Sequence, residues 1–136
     1  MSLRVLVADR DTALLEMYRA YLSWDGFSII TASTGLGCMV KLRAHAPDVL
    51  VLELDLLWGG GSGVLASMRD DPELANIPVI VLSNEPEDYS PCADVVPPVQ
   101  EYLVKPQSPP ALANAIRQLV AMSAVGAAAD SSLWLG

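Results

Sequence analysis

Residues 47–54 read PDVLVLEL, and this stretch decides the fold class. Val49 to Leu52 form an unbroken apolar run that ends at Glu53. A strand that is covered on both faces has no polar side, so its residues are continuously Val, Leu and Ile rather than alternating with polar ones. The segments RVLVA (residues 4–8) and PVIVL (residues 78–82) have the same character. These runs predict a parallel β-sheet buried between two layers.

Helical patterns alternate with these runs along the chain. Two further strand-length runs, Phe27 to Ala32 and Val99 to Val104, bring the expected strands to five. Alternation of strands and helices, with right-handed crossovers, predicts a doubly wound, three-layer α/β domain. The helix patterns begin near Thr12, with Asp11 or Thr12 as the N-cap, and near Thr34, Ser62 and Ser108.

The fourth helix is expected to be distorted or shortened. Residues 85–98 contain Pro86, Pro91, Pro97 and Pro98. A proline inside a helix removes a backbone hydrogen bond and destabilises the helix by about 3 kcal/mol. We therefore expect a short, distorted or absent helix between the fourth and fifth strands.

Composition indicates one compact domain. The 136 residues include 8 basic and 16 acidic ones, a net charge of −8, and 52% are hydrophobic. A chain of this size buries enough apolar surface to fold without disulfides or metal, which excludes intrinsic disorder. We expect a domain over residues 1–122 and a C-terminal tail or linker stub over residues 123–136. The longest apolar stretch is too short to cross a membrane, so we expect a cytoplasmic protein that binds no membrane.

Charge and ligand counts argue against two further classes of function. The acidic chain repels phosphate backbones and its basic residues form no cluster, which argues against nucleic-acid binding by this domain. Two cysteines and one histidine, arranged in no metal-binding pattern, cannot supply a structural zinc site.

Polar and charged residues follow four of the predicted strands. In open parallel sheets, ligands bind beyond the carboxyl ends of the strands, where the strand order reverses. Apolar strands need no such residues for packing, so their convergence predicts a functional site. The residues are Asp9, Arg10 and Asp11 after the first strand, Glu53 and Asp55 after the third, Ser83 after the fourth and Lys105 after the fifth.

Four motifs together resemble the receiver domain of two-component response regulators, over about residues 3–122. They are VLVADRD, PDVLVLEL with Gly61 eight residues past Glu53, IPVIVLS and EYLVKP. Their separations are similar to those of the family: 44 residues from Asp9 to Glu53, 30 from Glu53 to Ser83 and 22 from Ser83 to Lys105. The resemblance implies a flavodoxin-like three-layer sandwich whose five parallel strands lie in the order 2-1-3-4-5.

The resemblance also implies roles for the site residues. Family members accept a phosphoryl group from a phosphohistidine kinase on an aspartate at the end of the third strand, a position that Glu53 holds here. The family's pair of Mg²⁺-binding acids follows the first strand; Asp9 matches the first acid, and Arg10 replaces the second. Ser83 and Lys105 match the residues that contact the phosphoryl group. Tyr102 matches the aromatic switch residue.

These two departures from the family pattern change the charge of the expected pocket. Asp9 and Glu53 oppose Arg10 and Lys105, so the pocket is neutral without a metal ion, and a guanidinium repels Mg²⁺. We expect an ion pair between Arg10 and Glu53, with an Arg10 side chain turned into solvent as the alternative. No cofactor and no metal are expected; Asp9 and Glu53 would hold Mg²⁺ if the degenerate site still binds it.

Three interpretations of Glu53 are open. In the first, its longer side chain imitates a phosphorylated aspartate and is held by Lys105 and by the Ser83 hydroxyl. In the second, the pocket is a relic whose residues satisfy one another. In the third, Glu53 or nearby Asp55 is itself phosphorylated, without the metal that would neutralise the developing charge.

The expected function is that of an atypical, non-enzymatic receiver that works through protein–protein contacts without phosphorylation. Its partner is a histidine kinase or a downstream effector. A homodimer through an apolar patch that includes Val95, Val96 and Val99 stays open, and a core role for these valines is the favoured interpretation. One alternative is a phosphorylatable, Mg²⁺-dependent receiver. Another is a haloacid-dehalogenase-like phosphatase, because residues 9–12 resemble the DxDxT signature of that family.

Overall fold

A computed structural model of the chain describes residues 2–56, 60–85 and 99–135, with side chains described as far as residue 122. This part of the chain forms five strands and four helices. The strands are β1 (Arg4–Ala8), β2 (Ser28–Ala32), β3 (Val49–Glu53), β4 (Val79–Ser83) and β5 (Val99–Val104). The helices are α1 (Thr12–Trp24), α2 (Gly35–His45), α3 (Gly60–Arg69) and α4 (Pro109–Leu135).

The five strands form one parallel sheet in the order β2-β1-β3-β4-β5. This order confirms the doubly wound architecture expected from the sequence. The chain passes from β1 outward to the edge strand β2 and then returns to β3 on the other side of β1. The strand order therefore reverses between β1 and β3, and the carboxyl ends of these two strands mark the expected position of a site.

Each face of the sheet has its own apolar core. One core lies under α1 and α4, and the other lies under α2 and α3. Side chains alternate between the two along each strand: Val5 and Val7 of β1 face α1 and α4, whereas Leu6 and Ala8 face α2 and α3. Because both faces of the inner strands are covered, their sequences are continuously apolar.

Side-chain caps fix the beginnings of three helices. Asp11 accepts a hydrogen bond from the Leu14 N–H at 3.1 Å, which identifies Asp11 as the N-cap of α1. Thr34 caps α2 by accepting from the Gly37 N–H at 2.9 Å. Ser108 accepts from the Ala111 N–H at 3.2 Å at the start of α4. These contacts satisfy amides that have no partner within the helix.

The structure corrects the predicted start of α3 and leaves the predicted distortion of the next helix untested. Helix α3 begins at Gly60, two residues ahead of the expected start near Ser62, and its Gly61 N–H donates to the Leu54 carbonyl directly after β3. The distorted helix expected between the fourth and fifth strands falls within residues 85–98, and all of these except Glu85 lie outside the described residues.

The structure bears on the predicted C-terminal tail and on one of the valines suggested for a homodimer. Helix α4 continues through residue 122 to Leu135, so the predicted tail is helical, and the division at residue 122 stays a prediction. Val99 is 3% exposed and belongs to the core under α2 and α3. This position confirms the favoured core role of Val99 and excludes it from an exposed apolar patch. Val95 and Val96 lie outside the described residues.

Across residues 2–56, 60–85 and 99–135, none of the helices has the length and apolar character needed to span a membrane.

Candidate functional site

Three charged side chains meet at the carboxyl edge of the sheet. Asp9 follows β1, Glu53 ends β3 and Lys105 follows β5. The Lys105 Nζ lies 2.7 Å from Asp9 Oδ2 and 2.8 Å from Glu53 Oε1. Asp9 is 0% and Glu53 2% exposed. All three residues were predicted from the sequence, and the structure joins them into one cluster, which we call the Asp9–Glu53–Lys105 triad.

Backbone amides complete the hydrogen bonding of the two carboxylates. The Arg10 N–H donates to Glu53 Oε2 at 2.9 Å, and the Asp11 N–H donates to Asp9 Oδ1 at 2.9 Å. Together with the two contacts from Lys105, they give each of the four carboxylate oxygens a donor. Buried charges are tolerated when they are paired and hydrogen-bonded, and this arrangement meets both conditions.

The predicted ion pair between the Arg10 and Glu53 side chains is wrong. The Arg10 side chain is exposed and forms no ion pair with the described part of the chain. The turn after β1 presents the Arg10 amide to Glu53, and Lys105 already binds the other carboxylate oxygen. The buried cluster therefore contains two carboxylates and one ammonium, a net charge of −1, rather than the neutral set expected.

Asp11 and Asp55, which were also assigned to the acidic pocket, have exposed side chains. The Asp11 carboxylate is used to cap α1. Asp55 forms neither a hydrogen bond nor an ion pair within the described ranges. The buried negative charge of the site is therefore carried by Asp9 and Glu53.

Burial and pairing shift the pKa values of the triad in different directions. Burial raises the pKa of Asp9, and the neighbouring Glu53 adds to the rise. Burial also acts to raise the pKa of Glu53, but interactions with Asp9, with Lys105 and with the Arg10 N–H outweigh it, so this pKa is lowered. For Lys105, burial acts to lower the pKa, and the bonds to both carboxylates outweigh it and raise the pKa. Asp9 is thus the carboxyl group that binds a proton more readily.

Ser83 and Tyr102 both bind the backbone of Glu85. The Glu85 N–H donates to Ser83 Oγ at 3.1 Å, and the Tyr102 hydroxyl donates to the Glu85 carbonyl at 2.9 Å. Ser83 is 3% exposed, yet it forms no hydrogen bond with Glu53. If Glu53 imitated a phosphorylated aspartate, the Ser83 hydroxyl would bind it. This expected Ser83–Glu53 contact is not formed, so that prediction is wrong. Instead, β4 and β5 are joined through one shared residue.

A cleft of about 320 Å³ opens beside the triad. Besides the triad, it is lined by Arg10, Asp11, Leu14, Tyr18, Asn84, Pro106 and Gln107. The Tyr18 hydroxyl donates to the Gln107 carbonyl at 2.6 Å and so ties α1 to the loop after β5. Neither Tyr18 nor Gln107 was predicted as a site residue. A contact between residues 89 positions apart gives no local sequence signal.

Gly61 is required by the close approach of α3 to the end of β3. A Cβ atom at this position would lie 2.6 Å from the Leu54 Cα and 2.7 Å from the Glu53 carbonyl oxygen. Both neighbours are backbone atoms, which cannot move aside without shifting the strand end. The glycine found in the sequence motif therefore allows α3 to begin directly beside the residue that supplies the Glu53 carboxylate.

The donor set of the site does not fit Mg²⁺. This ion requires oxygen ligands in near-octahedral geometry, supplied mainly by carboxylates and water. Here both carboxylates are engaged by N–H donors, and the Lys105 ammonium bridges them. Within the described residues, there is also no group of three His, Cys, Asp or Glu side chains that could hold a metal ion.

Comparison with known proteins yields one family and several relatives. A family model described as the response regulator receiver domain matches residues 5–117. The chain is 34% identical over 102 residues to the transcriptional regulatory protein KdpE of Mycobacterium tuberculosis, covering 75% of this chain and 44% of KdpE. It is 29% identical over 131 residues to the response regulator MprA of Mycobacterium bovis, covering 96% of this chain and 56% of MprA. The chain thus spans about half the length of these relatives.

A solved structure has the same fold. The chemotaxis response regulator CheY4 of Vibrio cholerae aligns with a TM-score of 0.75 at 20% identity, covering 87% of this chain and 98% of that chain. At this level of identity the similarity concerns the fold alone.

Proposed function

The chain belongs to the response regulator receiver domain family, which operates in two-component signalling, and we propose that it is an atypical receiver that works through protein–protein contacts without phosphorylation. The observation that carries this proposal is the buried triad, in which Lys105 bridges Asp9 and Glu53. In this proposal the pocket has no enzymatic activity and no cofactor. The partner is a histidine kinase or a downstream effector.

Glu53 is poorly placed to accept a phosphoryl group. Both Glu53 oxygens accept a hydrogen bond, from Lys105 and from the Arg10 N–H, and these bonds make the carboxylate a weaker nucleophile. Phosphoryl transfer also needs a cation that neutralises the charge developing on the phosphoryl oxygens. Arg10 in place of the family's second acid, and Lys105 on both remaining carboxylates, oppose binding of such a cation.

The contacts of Ser83 and Tyr102 favour the interpretation in which the pocket residues satisfy one another. They argue against the interpretation in which Glu53 imitates a phosphorylated aspartate. Imitation requires the Ser83 hydroxyl to bind Glu53, but this hydroxyl accepts from the Glu85 N–H. Tyr102 binds the same residue from β5. In the proposed receiver, these contacts and the triad hold the ends of β3, β4 and β5 in one arrangement that a partner protein recognises or displaces.

Two alternative functions are less well supported. A phosphorylatable, Mg²⁺-dependent receiver requires Lys105 to leave Asp9 so that a metal can bind. A haloacid-dehalogenase-like phosphatase requires a free catalytic acid two residues after Asp9, but the Asp11 carboxylate caps α1.

The test is to titrate the protein with MgCl₂ by isothermal titration calorimetry and then to add acetyl phosphate or beryllofluoride. Intact mass spectrometry detects a phosphoryl adduct, and ¹⁵N-correlated NMR spectra detect a change at the site. We expect no saturable heat, no added mass and unchanged signals for the residues around Glu53. Saturable Mg²⁺ binding with an added phosphoryl mass would overturn the proposal and establish an ordinary phosphorelay receiver. Hydrolysis of p-nitrophenyl phosphate that depends on Asp9 would instead support the phosphatase.

A further inference from the structure

The exposed side of α2 is unusually apolar for a surface helix. Leu36 is 66% and Val40 64% exposed, and Ala44 is also exposed. These residues are spaced four apart, so they lie along one strip of the helix. The opposite side of α2 supplies Cys38, Met39 and Leu42 to the core. Packing within the domain therefore explains the buried side of α2 and not the apolar strip.

Cations flank this strip on both sides. At 100° per residue, Arg43 lies on one side of the Leu36–Val40–Ala44 strip and Lys41 on the other. Lys41 forms no ion pair within the described residues. Arg43 lies 3.9 Å from Asp71, a separation at which exposed pairs contribute little. Both cations are thus available to a partner.

Helices α2 and α3 differ in charge from the rest of the chain. Neither α2 nor α3 contains an acidic residue, although the chain has 16 of them and a net charge of −8. A shallow groove of about 170 Å³ adjoins the strip and is lined by Gly35, Leu36, Met39, Gly63, Val64 and Ser67. Its glycines allow another backbone to come close.

We propose that the α2 strip, Leu36, Val40 and Ala44 between Lys41 and Arg43, is a docking surface for an acidic amphipathic helix of a partner protein. Apolar side chains of the partner helix pack on the strip and enter the α2–α3 groove, and carboxylates on its two flanks pair with Lys41 and Arg43. Charge complementarity selects this occupant. A second copy in a two-fold arrangement would place the cations of both α2 helices near one another, which is unfavourable.

The surface lies apart from the triad. Residues that line the cleft beside Glu53 come from α1, from β3 and from the segments after β1, β4 and β5, and none comes from α2 or α3. Docking on α2 therefore requires no contact with the triad, and the two proposals can fail separately.

The test uses a synthetic helical peptide of about 18 residues, long enough for several helical turns, with leucines along one strip and glutamates on both flanks. A second peptide carries lysine in place of every glutamate. Each is titrated into the ¹⁵N-labelled full chain, and binding is followed by NMR. We expect the glutamate peptide to shift the signals of Gly35, Leu36, Val40 and Gly63, and higher salt to weaken binding because flanking ion pairs are screened.

Two matched variants test whether the peptide binds the α2 strip specifically or binds any exposed apolar side chain. Val40→Glu is expected to weaken binding of the glutamate peptide at least ~10-fold, about 1.4 kcal/mol. Trp24→Glu alters a side chain that is 80% exposed on α1 and is expected to change the affinity less than ~2-fold. Circular dichroism and thermal unfolding verify that both variants are folded.

Three outcomes would overturn the proposal. The first is equal or tighter binding of the lysine peptide. The second is the absence of binding, or binding that Trp24→Glu abolishes and Val40→Glu does not. The third is a dimer in analytical ultracentrifugation, without peptide, that Val40→Glu dissociates, since a second copy would then occupy the strip.

Discussion

Arg10 contacts Glu53 through its backbone: the Arg10 N–H lies 2.9 Å from Glu53 Oε2, while the guanidinium is exposed. Any residue other than proline supplies the same donor. The cation that neutralises part of the buried charge is instead Lys105, which reaches both carboxylates from the end of β5. Arg10 and Lys105, the two cations that the sequence places near Glu53, therefore contribute differently to stability. Substituting each of them separately measures the difference.

Lys105→Met is expected to lower the free energy of unfolding at neutral pH by about 3–5 kcal/mol, because it leaves two buried carboxylates without their counter-charge. Arg10→Met is the matched control and is expected to change it by less than about 0.5 kcal/mol. Urea unfolding followed by circular dichroism measures both. Similar losses in the two variants would contradict the assignment of the buried counter-charge to Lys105.

Removing Glu53 is expected to change how stability depends on acidic pH. The pKa of Glu53 is lower in the folded chain than its ordinary 4.5, so the unfolded chain binds more protons between the two values. Its contribution to stability is therefore present above 4.5 and is lost as the pH falls through the folded pKa. Glu53→Gln should flatten the rise of the urea midpoint with pH in this range.

Removing Asp9 is expected to change the dependence of stability on pH in the opposite direction. Its pKa is raised in the folded chain above the ordinary 3.8, so its contribution is most favourable at low pH and is lost as the pH rises through the folded pKa. Asp9→Asn should therefore make the urea midpoint rise more steeply with pH than in the unaltered protein. The same sign of change in Asp9→Asn and Glu53→Gln would show that the pKa directions are misassigned.

The double substitution Arg10→Asp with Glu53→Asp is expected to create Mg²⁺ binding, in contrast to the absence of binding that we propose for the unaltered chain. It supplies a second acid after β1 and shortens the carboxylate that reaches Lys105, which leaves oxygen ligands for the ion. Calorimetry should detect saturable binding in the double variant and weaker binding in Arg10→Asp alone. If the double variant binds no Mg²⁺, then Arg10 and Glu53 are not sufficient to explain why the chain lacks the family's Mg²⁺ site.

Gly61→Ala is expected to destabilise the fold by about 1–3 kcal/mol, because its Cβ would overlap the backbone at the end of β3. Gly63→Ala is the matched control two residues later in α3, where a Cβ has no atom within 4 Å. It is expected to be neutral or to stabilise by up to about 1 kcal/mol, since alanine favours helix more than glycine does. Thermal unfolding compares the two, and equal effects would contradict the close approach at Gly61.

Sequence patterns predicted the sheet and the convergence of Asp9, Glu53 and Lys105 at one edge, because both depend on regular features; the contact between Lys105 and Asp9 was not predicted. Continuous apolar runs identify strands covered on both faces, and the carboxyl edge of a parallel sheet collects Asp9, Glu53 and Lys105. The contacts of Arg10 and Ser83 were not predicted, because they depend on the local course of the turns after β1 and β4. A turn can present a backbone amide or a side chain, and residue identity does not distinguish the two.

The triad connects Asp9 to Lys105 across 96 residues and Glu53 to Lys105 across 52. Its members come from the ends of three different strands, and β4 lies between β3 and β5. Contacts between such distant parts of the chain form after shorter-range structure, when most of the sheet is in place. We therefore expect the triad to form after the transition state for folding. Its loss in Lys105→Met should speed unfolding and leave the folding rate almost unchanged, so that the buried charges determine how long the domain stays folded rather than how quickly it forms.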